Sequence, residues 1–253
     1  MDSSVFQNLE IDSKETVLWR KLLKKEVRFM AVIKGSTRLE TAVLLTLCGG
    51  YLDAYTYSVR GGVFANAQTG NIIKLGIQIV NGDLSACIRY LIPIGAFILG
   101  VIIAIAIRLY MEKNDLHVIR RGVLLTEMAA LAVVSFIPEA EEYNLLANTL
   151  VSFACAMQME AFGSFVNQPI ATTVSTGNLR KLVEYLVKGF YEKDKEAFKI
   201  AGIYFLIVSL FILGVIFGTL CSDYMGIHSV WIVIIMMFMA FMVITTKMKI
   251  TND

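Results

Sequence analysis

The stretch NAQTGNIIKLG, residues 66–76, sets a polar turn before a short apolar helix in a very apolar part of the chain. A second stretch, TVSTGNLRKLV at 173–183, repeats the order Thr-Gly-Asn, two residues, Lys-Leu. After its polar turn, each stretch offers about eleven good helical residues, which span roughly 16 Å. Because a bilayer core is ~30 Å thick, each stretch predicts a half-helix that enters the membrane without crossing it.

The composition around these stretches is that of an integral membrane protein. The chain has 253 residues, of which 57% are hydrophobic and 17% are charged, and its mean hydropathy is +0.66. Soluble domains are usually about 45–50% apolar. The net charge of +2 indicates no partner of nucleic acid. Four scattered cysteines and two histidines form no CxxC or His/Cys cluster, so we expect no metal site, no disulfide framework and no cofactor.

Six apolar blocks are long enough to span a bilayer as helices, whereas two blocks are interrupted by Gly, Asn, Gln, Thr and Pro. The six are approximately 39–59, 90–110, 119–137, 146–166, 197–221 and 228–246, and the two interrupted blocks are 63–80 and 169–187. This pattern predicts six spans plus two half-helices.

The distribution of Lys and Arg favours the same count. If the interrupted blocks return to the side they entered, the basic N-terminal tail, the basic loops 108–121 and 188–199 and the C-terminus all lie inside. The acidic loop 138–144 then lies outside. Eight full spans would place loop 108–121 outside and the acidic loop inside, against the positive-inside rule. We therefore predict a multi-pass membrane protein with both termini cytoplasmic.

The two stretches belong to a longer internal repeat. Thr69 aligns with Thr176 at an offset of 107, and at the same offset Cys48 aligns with Cys155 and Asp53 with Glu160. The sequence FILGVI also occurs twice, at 97–102 and 211–216, with an offset of 114. Each unit therefore reads as a span, a half-helix and two further spans.

Three spans per unit is an odd number, so the second unit starts from the opposite side of the membrane. The predicted fold is an all-α integral membrane protein of two inverted repeats, an arrangement in which broken helices meet near the midplane. The predicted segments are a cytoplasmic tail (1–38), unit 1 (39–137), an extracytoplasmic linker (138–145), unit 2 (146–247) and a cytoplasmic tail (248–253).

The starts of the two half-helices are the candidate solute site. Half-helix N-termini carry unpaired N–H groups and partial positive charge, and the nearby lysines add full charges. We expect the threonines or asparagines to cap the half-helices and the glycines to permit a tight turn or a close backbone approach. The candidate residues are Thr69, Gly70, Asn71, Lys74, Thr176, Gly177, Asn178 and Lys181. The alternative is purely structural capping, with each lysine paired to an acid.

Asp53 and Glu160 are acids inside predicted spans, where ionisable groups usually face a cavity or a partner. Two interpretations stand side by side: ion pairs Asp53–Lys74 and Glu160–Lys181, or carboxylates that couple transport to a proton or cation. Glu127 is a third such acid, expected to pair with Arg120 or Arg121. Other polar residues near the half-helices are candidates for a polar path: Asn66, Gln68, Gln158, Asn167, Gln168, Thr172, Thr173 and Ser175.

The stretches GGYLDAYTY, GGVFANAQTGNIIKLG and TTVSTGNLRKL resemble the YoaK-type family of bacterial membrane proteins, which has no assigned function. The resemblance covers about residues 36–247, and FANAQTGN is its most specific part. It implies a bacterial inner-membrane protein of about six spans. It supplies no solute and no catalytic residue.

These patterns predict a secondary transporter or channel for a small polar or anionic solute. The alternative is a membrane sensor, scaffold or chaperone that transports nothing. An enzyme is not expected, because the sequence has neither a nucleophile–histidine arrangement nor a phosphate-binding loop. The expected partners are the lipid bilayer and the solute, and a homo-oligomer is compatible with the sequence. If the site is functional, replacing Lys74 or Lys181 is expected to abolish solute binding.

Overall fold

The chain folds as a bundle of α-helices. The computed structural model describes residues 39–111, 116–165 and 168–252, with side chains described as far as 246. The predicted tail 1–38 lies outside these residues. The helices, in chain order, are α1 (Leu39–Val59), α2 (Gln68–Asn81), α3 (Leu84–Tyr110), α4 (Leu116–Val134), α5 (Glu141–Ala161), α6 (Thr176–Glu192), α7 (Lys195–Met225) and α8 (Val230–Asn252). A 3₁₀ turn, Gly226–Ser229, joins α7 to α8.

The all-helical prediction is confirmed for the described residues. The only β-type pairing among them is an isolated bridge between Phe165 and Gln168. The helix α8 continues to Asn252, so the predicted C-terminal tail is helical up to that residue. The predicted linker 138–145 contains the beginning of α5 at Glu141.

Two of the described α-helices are shorter than the others, and both are longer than the roughly eleven residues expected after the polar turns. The short ones are α2, with 14 residues, and α6, with 17 residues, and both begin at the Thr-Gly-Asn stretches. The others have between 19 and 31 residues. Two helical stretches meet the length and composition expected of a membrane span, Leu84–Tyr110 and Lys195–Thr246, with mean hydropathies of 2.7 and 2.8.

The third helix of each unit starts in the same way. Asp83 precedes α3 and accepts a hydrogen bond from the Ala86 N–H, with an N–O distance of 3.0 Å. Asp194 precedes α7 and accepts from the Glu196 N–H at 2.8 Å. An aspartate before the first turn satisfies backbone N–H groups that have no partner within the helix.

Equivalent helices of the two predicted units make equivalent contacts. Helix α1 packs on α7, and its counterpart α5 packs on α3. The short helices α2 and α6 pack on the following long helices, and α4 packs on α8. Each unit therefore places its first helix against the third helix of the other unit, so that the two units are interlocked.

Glycines in the repeated FILGVI sequence allow close backbone contacts between these helices. A Cβ atom on Gly214 would collide with the backbone of Leu47 in α1, and a Cβ on Gly100 would collide with the backbone of Phe153 in α5. Gly100 and Gly214 are equivalent in the repeat, and they meet helices that are also equivalent. Small residues at such crossings permit close backbone approach.

Two buried apolar clusters define the two ends of the bundle. One contains the end of α1 (Tyr55, Val59), the end of α4 (Leu131, Val134) and the beginning of α8 (Val230). We call this the Arg60 end. The other contains the beginnings of α1 and α4 and the ends of α5 and α8, represented by Ala42, Ile119, Phe162 and Ile244. We call this the Arg120 end. Helices α4 and α8 therefore run in opposite directions.

Arg60 ties the end of α1 to the end of α4. Its guanidinium is fully buried and donates hydrogen bonds to the carbonyl oxygens of Val134, Ile137 and Pro138, each with an N–O distance of 2.9 Å. Val134 ends α4, and Ile137 and Pro138 lie in the segment that follows it, so the cation binds carbonyls on both sides of this helix end. The chain is thus at the same end of the bundle after α1 and after α4.

Candidate functional site

A cavity of about 620 Å³ lies between the starts of the two short helices. Gln68 and Thr69 line it from α2, and Ser175 and Thr176 line it from the beginning of α6. Its other lining residues are Asp53, Ala54, Tyr57, Ser58, Phe64, Asn66, Ala67, Phe97, Met159, Thr173, Val174, Phe211, Val215 and Thr219. The expectation that the two Thr-Gly-Asn stretches approach one another therefore agrees with the lining of this cavity.

Many of the lining residues are equivalent in the repeat. Thr69 corresponds to Thr176 at the offset of 107, and Gln68 corresponds to Ser175. Phe97 and Phe211, which begin the two FILGVI sequences, face the cavity from α3 and α7. Sequence reasoning missed this phenylalanine pair, although its position at the head of a repeated hexapeptide was an available signal.

Asn71 and Asn178 hold the chain before each short helix in place. The Asn71 amide accepts from the Phe64 N–H (2.9 Å) and donates to the Phe64 carbonyl (2.8 Å). The Asn178 amide makes the same two bonds with Ala171, at 3.3 and 2.6 Å. Phe64 and Ala171 each lie seven residues before their asparagine. Both amides are buried and neither lines the cavity, so their role is structural.

The expectation that Thr69, Asn71, Thr176 or Asn178 caps the short helices is wrong. The residues before the first turns are Ala67 and Ser175, and no side-chain oxygen caps either turn. The asparagines are already committed to the preceding loops, and both threonines are exposed at the cavity.

The two glycines have different surroundings. A Cβ atom on Gly70 would lie 2.7 Å from the Phe64 ring, so this position requires a close approach. Gly177 has no heavy atom within 4 Å of such a Cβ among the described residues, so of the two expected reasons for a glycine the close backbone approach does not apply there. The difference arises because an aromatic ring precedes α2, whereas Ala171 is the equivalent residue before α6.

Asp53 forms one wall of the cavity from α1. It is 5% exposed, and its Oδ1 atom accepts from the Asn66 N–H at 2.7 Å and from the Ala67 N–H at 3.4 Å. These N–H groups lie immediately before α2, so the carboxylate satisfies the backbone at the start of that helix. The Asp53–Lys74 pair is therefore wrong: Asp53 binds the chain before α2 and not the lysine one turn inside it.

Lys74 instead contacts a carbonyl and aromatic rings. Its Nζ donates to the Gly62 carbonyl at 2.7 Å and lies 4.4 Å from the centre of the Tyr57 ring. The Phe64 ring centre is 5.4 Å away. Cation–π contacts of this kind stabilise a partly buried ammonium without a carboxylate.

Glu160 and Lys181 are also separated. Glu160, at the end of α5, forms an ion pair with Arg108 at the end of α3. Lys181 pairs with Glu184 on the same helix at 3.0 Å, on an exposed face. The expected Glu160–Lys181 pair is wrong, because the α3–α5 packing brings an arginine next to Glu160. Neither Lys74 nor Lys181 is among the described residues that line the cavity.

Three polar side chains of the cavity each have a buried atom without a hydrogen-bond partner in the described part of the chain. They are Asn66, through Oδ1, Thr173, through Oγ1, and Ser175, through Oγ. All three belong to the predicted polar path. Buried polar atoms are normally paired, so these atoms mark places where another molecule can complete the bonding.

Glu127 lies away from the cavity and is fully buried in α4. Its Oε1 accepts from the Cys155 thiol at 3.8 Å, whereas its Oε2 is unpartnered among the described residues. The expected partner Arg120 donates its Nε hydrogen to the Ala161 carbonyl at the end of α5. The Glu127 carboxylate is therefore bonded to a thiol and not, as expected, to Arg120 or Arg121.

This arrangement defines a class, that of helical membrane proteins whose two short helices begin at one shared cavity. The chain belongs to the family described as "Protein of unknown function (DUF1275)", whose model matches residues 41–243. It is 27% identical over 216 residues to the UPF0700 transmembrane protein YoaK of Bacillus subtilis (strain 168), covering 83% of this chain and 94% of that protein. The resemblance to YoaK-type proteins is confirmed. No solved structure matches the chain.

Proposed function

We propose that the protein is a secondary transporter or channel that carries a small solute through the cavity between α2 and α6. The observation that carries this proposal is the cavity of about 620 Å³, lined by repeat-related residues from both short helices. Cavities where two broken helices meet are typical of transporter sites. In this proposal the protein binds and releases the solute without converting it chemically, in the inner membrane and with both termini cytoplasmic.

The proposal includes an inverted topology of six spans and two half-helices. It is supported by Arg60, which binds the carbonyls at the end of α4 from the end of α1. If α2 crossed the membrane, α2, α3 and α4 would make three crossings, and the ends of α1 and α4 would lie on opposite sides. The antiparallel α4–α8 packing supports the same topology, since eight full spans would make these helices parallel.

Alternating access follows from the difference between the two acids. Asp53 lines the open cavity, whereas its counterpart Glu160 is held by Arg108 at the Arg120 end. The cavity extends along α1 to Ser58 and along α7 to Thr219, and both residues lie toward the Arg60 end of their helices. We propose that release of the Arg108–Glu160 pair opens the equivalent path at the Arg120 end while the Asp53 side closes.

The test uses two repeat-related positions in a protein whose four native cysteines are replaced. Thr219→Cys reports on the observed cavity, and Ile105→Cys reports on the equivalent position in α3. We expect an impermeant thiol reagent to modify Thr219→Cys from the Arg60 side in the resting protein. Adding Glu160→Gln is expected to raise modification of Ile105→Cys from the Arg120 side and to lower that of Thr219→Cys.

Glu184→Gln is the matched control, because it removes an exposed acid that pairs only along α6. It is expected to leave both modification rates unchanged. If the modification rates of the two positions never change in opposite directions, alternating access is contradicted. A channel, or a sensor or scaffold that transports nothing, would then be the better interpretation.

A further inference from the structure

We infer that the cavity binds a zwitterionic solute with an apolar body, whose ammonium group faces Asp53 and Asn66 and whose carboxylate faces the start of α6. This inference rests on the proposed function and specifies the solute class for the same cavity. It departs from the anionic solute that the two lysines predicted, since neither lysine lines the cavity.

The Asp53 side of the cavity offers hydrogen-bond acceptors. The Asn66 amide nitrogen donates to the Gly49 carbonyl at 3.2 Å, so the amide oxygen Oδ1 is the side-chain atom that remains to accept a hydrogen bond. That oxygen is buried and unpartnered among the described residues. Asp53 is the only carboxylate among the described residues that line the cavity. An acceptor and a carboxylate together match an N–H-rich cation.

The start of α2 has no need of an external anion. The backbone N–H groups of Asn66 and Ala67 already bind Asp53. A helix N-terminus attracts negative charge because its first N–H groups are unpaired, and here the chain supplies that charge itself. An anionic group of a solute would moreover be repelled by Asp53.

The start of α6 is in the opposite condition. Its counterpart acid, Glu160, is bound to Arg108, and no side chain caps the first turn of this 17-residue helix. Thr173 lines the cavity just before it, is 1% exposed and has an unpartnered hydroxyl in the described structure. Ser175 presents a second such hydroxyl. Hydroxyl and backbone donors around a positive helix end match a carboxylate.

The remaining lining suits an apolar body between the two charged groups. Phe97 and Phe211 contribute aromatic rings, and Met159 and Val215 contribute aliphatic surface. Small-molecule sites are commonly cavities of about 300–1,000 Å³ with apolar walls and a few polar groups that set orientation. A free amino acid with an apolar side chain has this combination of groups.

Three matched probes test the inference on the purified full-length protein in detergent, by equilibrium binding: L-phenylalanine, 2-phenylethylamine and 3-phenylpropanoate. They share the aromatic body and differ in their charged groups. We expect L-phenylalanine to bind most tightly. Asp53→Asn is expected to weaken binding of L-phenylalanine and of the amine about tenfold or more, and to leave 3-phenylpropanoate unweakened. Asp223→Asn, an exposed acid on α7, is the control.

Variants on the other side of the cavity give the complementary pattern and do not depend on the folding of Asp53→Asn. Thr173→Val and Ser175→Ala are expected to weaken L-phenylalanine and 3-phenylpropanoate severalfold while leaving the amine unchanged. Binding of 3-phenylpropanoate as tight as that of L-phenylalanine would overturn the inference, and so would failure of all three probes to bind. If the Thr219 and Ile105 accessibilities still change in opposite directions, transport stands and only the solute class is wrong.

Discussion

The two units carry the same sequence elements but place them in different environments. In unit 1, Asp53 faces the cavity and binds the chain before α2. In unit 2, Glu160 occupies the equivalent position in sequence yet binds Arg108 outside the cavity. The asparagines, by contrast, make the same pair of bonds in both units. The asparagine bonds therefore hold both short helices in place in the same way, whereas the bonds of the two acids differ between the two units.

The proposed inverted topology predicts the largest effect, an all-or-none difference in labelling. With the native cysteines replaced, Glu142→Cys at the start of α5 and Glu192→Cys at the end of α6 are each exposed to an impermeant thiol reagent in intact cells. An inverted repeat places them on opposite sides of the membrane, so only Glu142→Cys is expected to react. If the two positions instead behave alike in intact cells, they lie on the same side of the membrane. That result would mean eight full spans and would remove the basis for comparing the two units.

The asparagine locks predict the next largest effect, and an equal one in both units. Asn71→Ala and Asn178→Ala each leave a backbone N–H and a carbonyl without a partner, which costs about 2–3 kcal/mol of free energy of unfolding. Denaturant titration in detergent measures the loss. Asn81→Ala, at the exposed end of α2, is the control and is expected to change stability by less than about 0.5 kcal/mol. Clearly unequal losses at the two locks would argue against equivalent roles.

Replacing the two glycines by alanine is expected to change the free energy of unfolding in opposite directions. Gly70→Ala forces a methyl group against the Phe64 ring and is expected to destabilise the protein by about 1–2 kcal/mol. Gly177→Ala meets open space within a helix and is expected to stabilise it by up to about 0.5 kcal/mol. The double variant Gly70→Ala with Phe64→Leu should recover stability relative to Gly70→Ala alone. A Gly177→Ala variant as unstable as Gly70→Ala would contradict the difference between the loops.

The lysines predict the smallest effects. Lys74→Ala loses a cation–π contact and a hydrogen bond to the Gly62 carbonyl, so we expect a loss of about 1 kcal/mol in the free energy of unfolding. Lys181→Ala breaks an exposed pair and should change it by less than about 0.5 kcal/mol. Because neither residue lines the cavity, Lys181→Ala is expected to leave the affinity for L-phenylalanine unchanged. A loss of binding there would restore the lysine to the solute site.

Much of the cavity could be located from sequence because the repeat marks it. The offset of 107 aligned Thr69 with Thr176 and Asp53 with Glu160. Asn66, Thr173 and Ser175 were predicted separately, as polar residues close to the two Thr-Gly-Asn stretches. The partners of the charged residues could not be obtained in this way. The sequence alone allows Lys74 to contact either Asp53 or the aromatic rings of Tyr57 and Phe64. The packing of the helices places its ammonium group against the two rings.

The apolar blocks, the broken segments and the internal repeat follow from local chemistry, since a bilayer requires long runs of apolar residues and tolerates polar turns only inside protein. They were therefore readable along the chain, as were the helical class and the positions of α2 and α6. The pairing of Glu160 with Arg108, the aromatic surroundings of Lys74 and the meeting of Phe97 with Phe211 in one cavity depend on which helices pack together. Such contacts join residues far apart in sequence, and their energies are set by geometry that no local pattern contains.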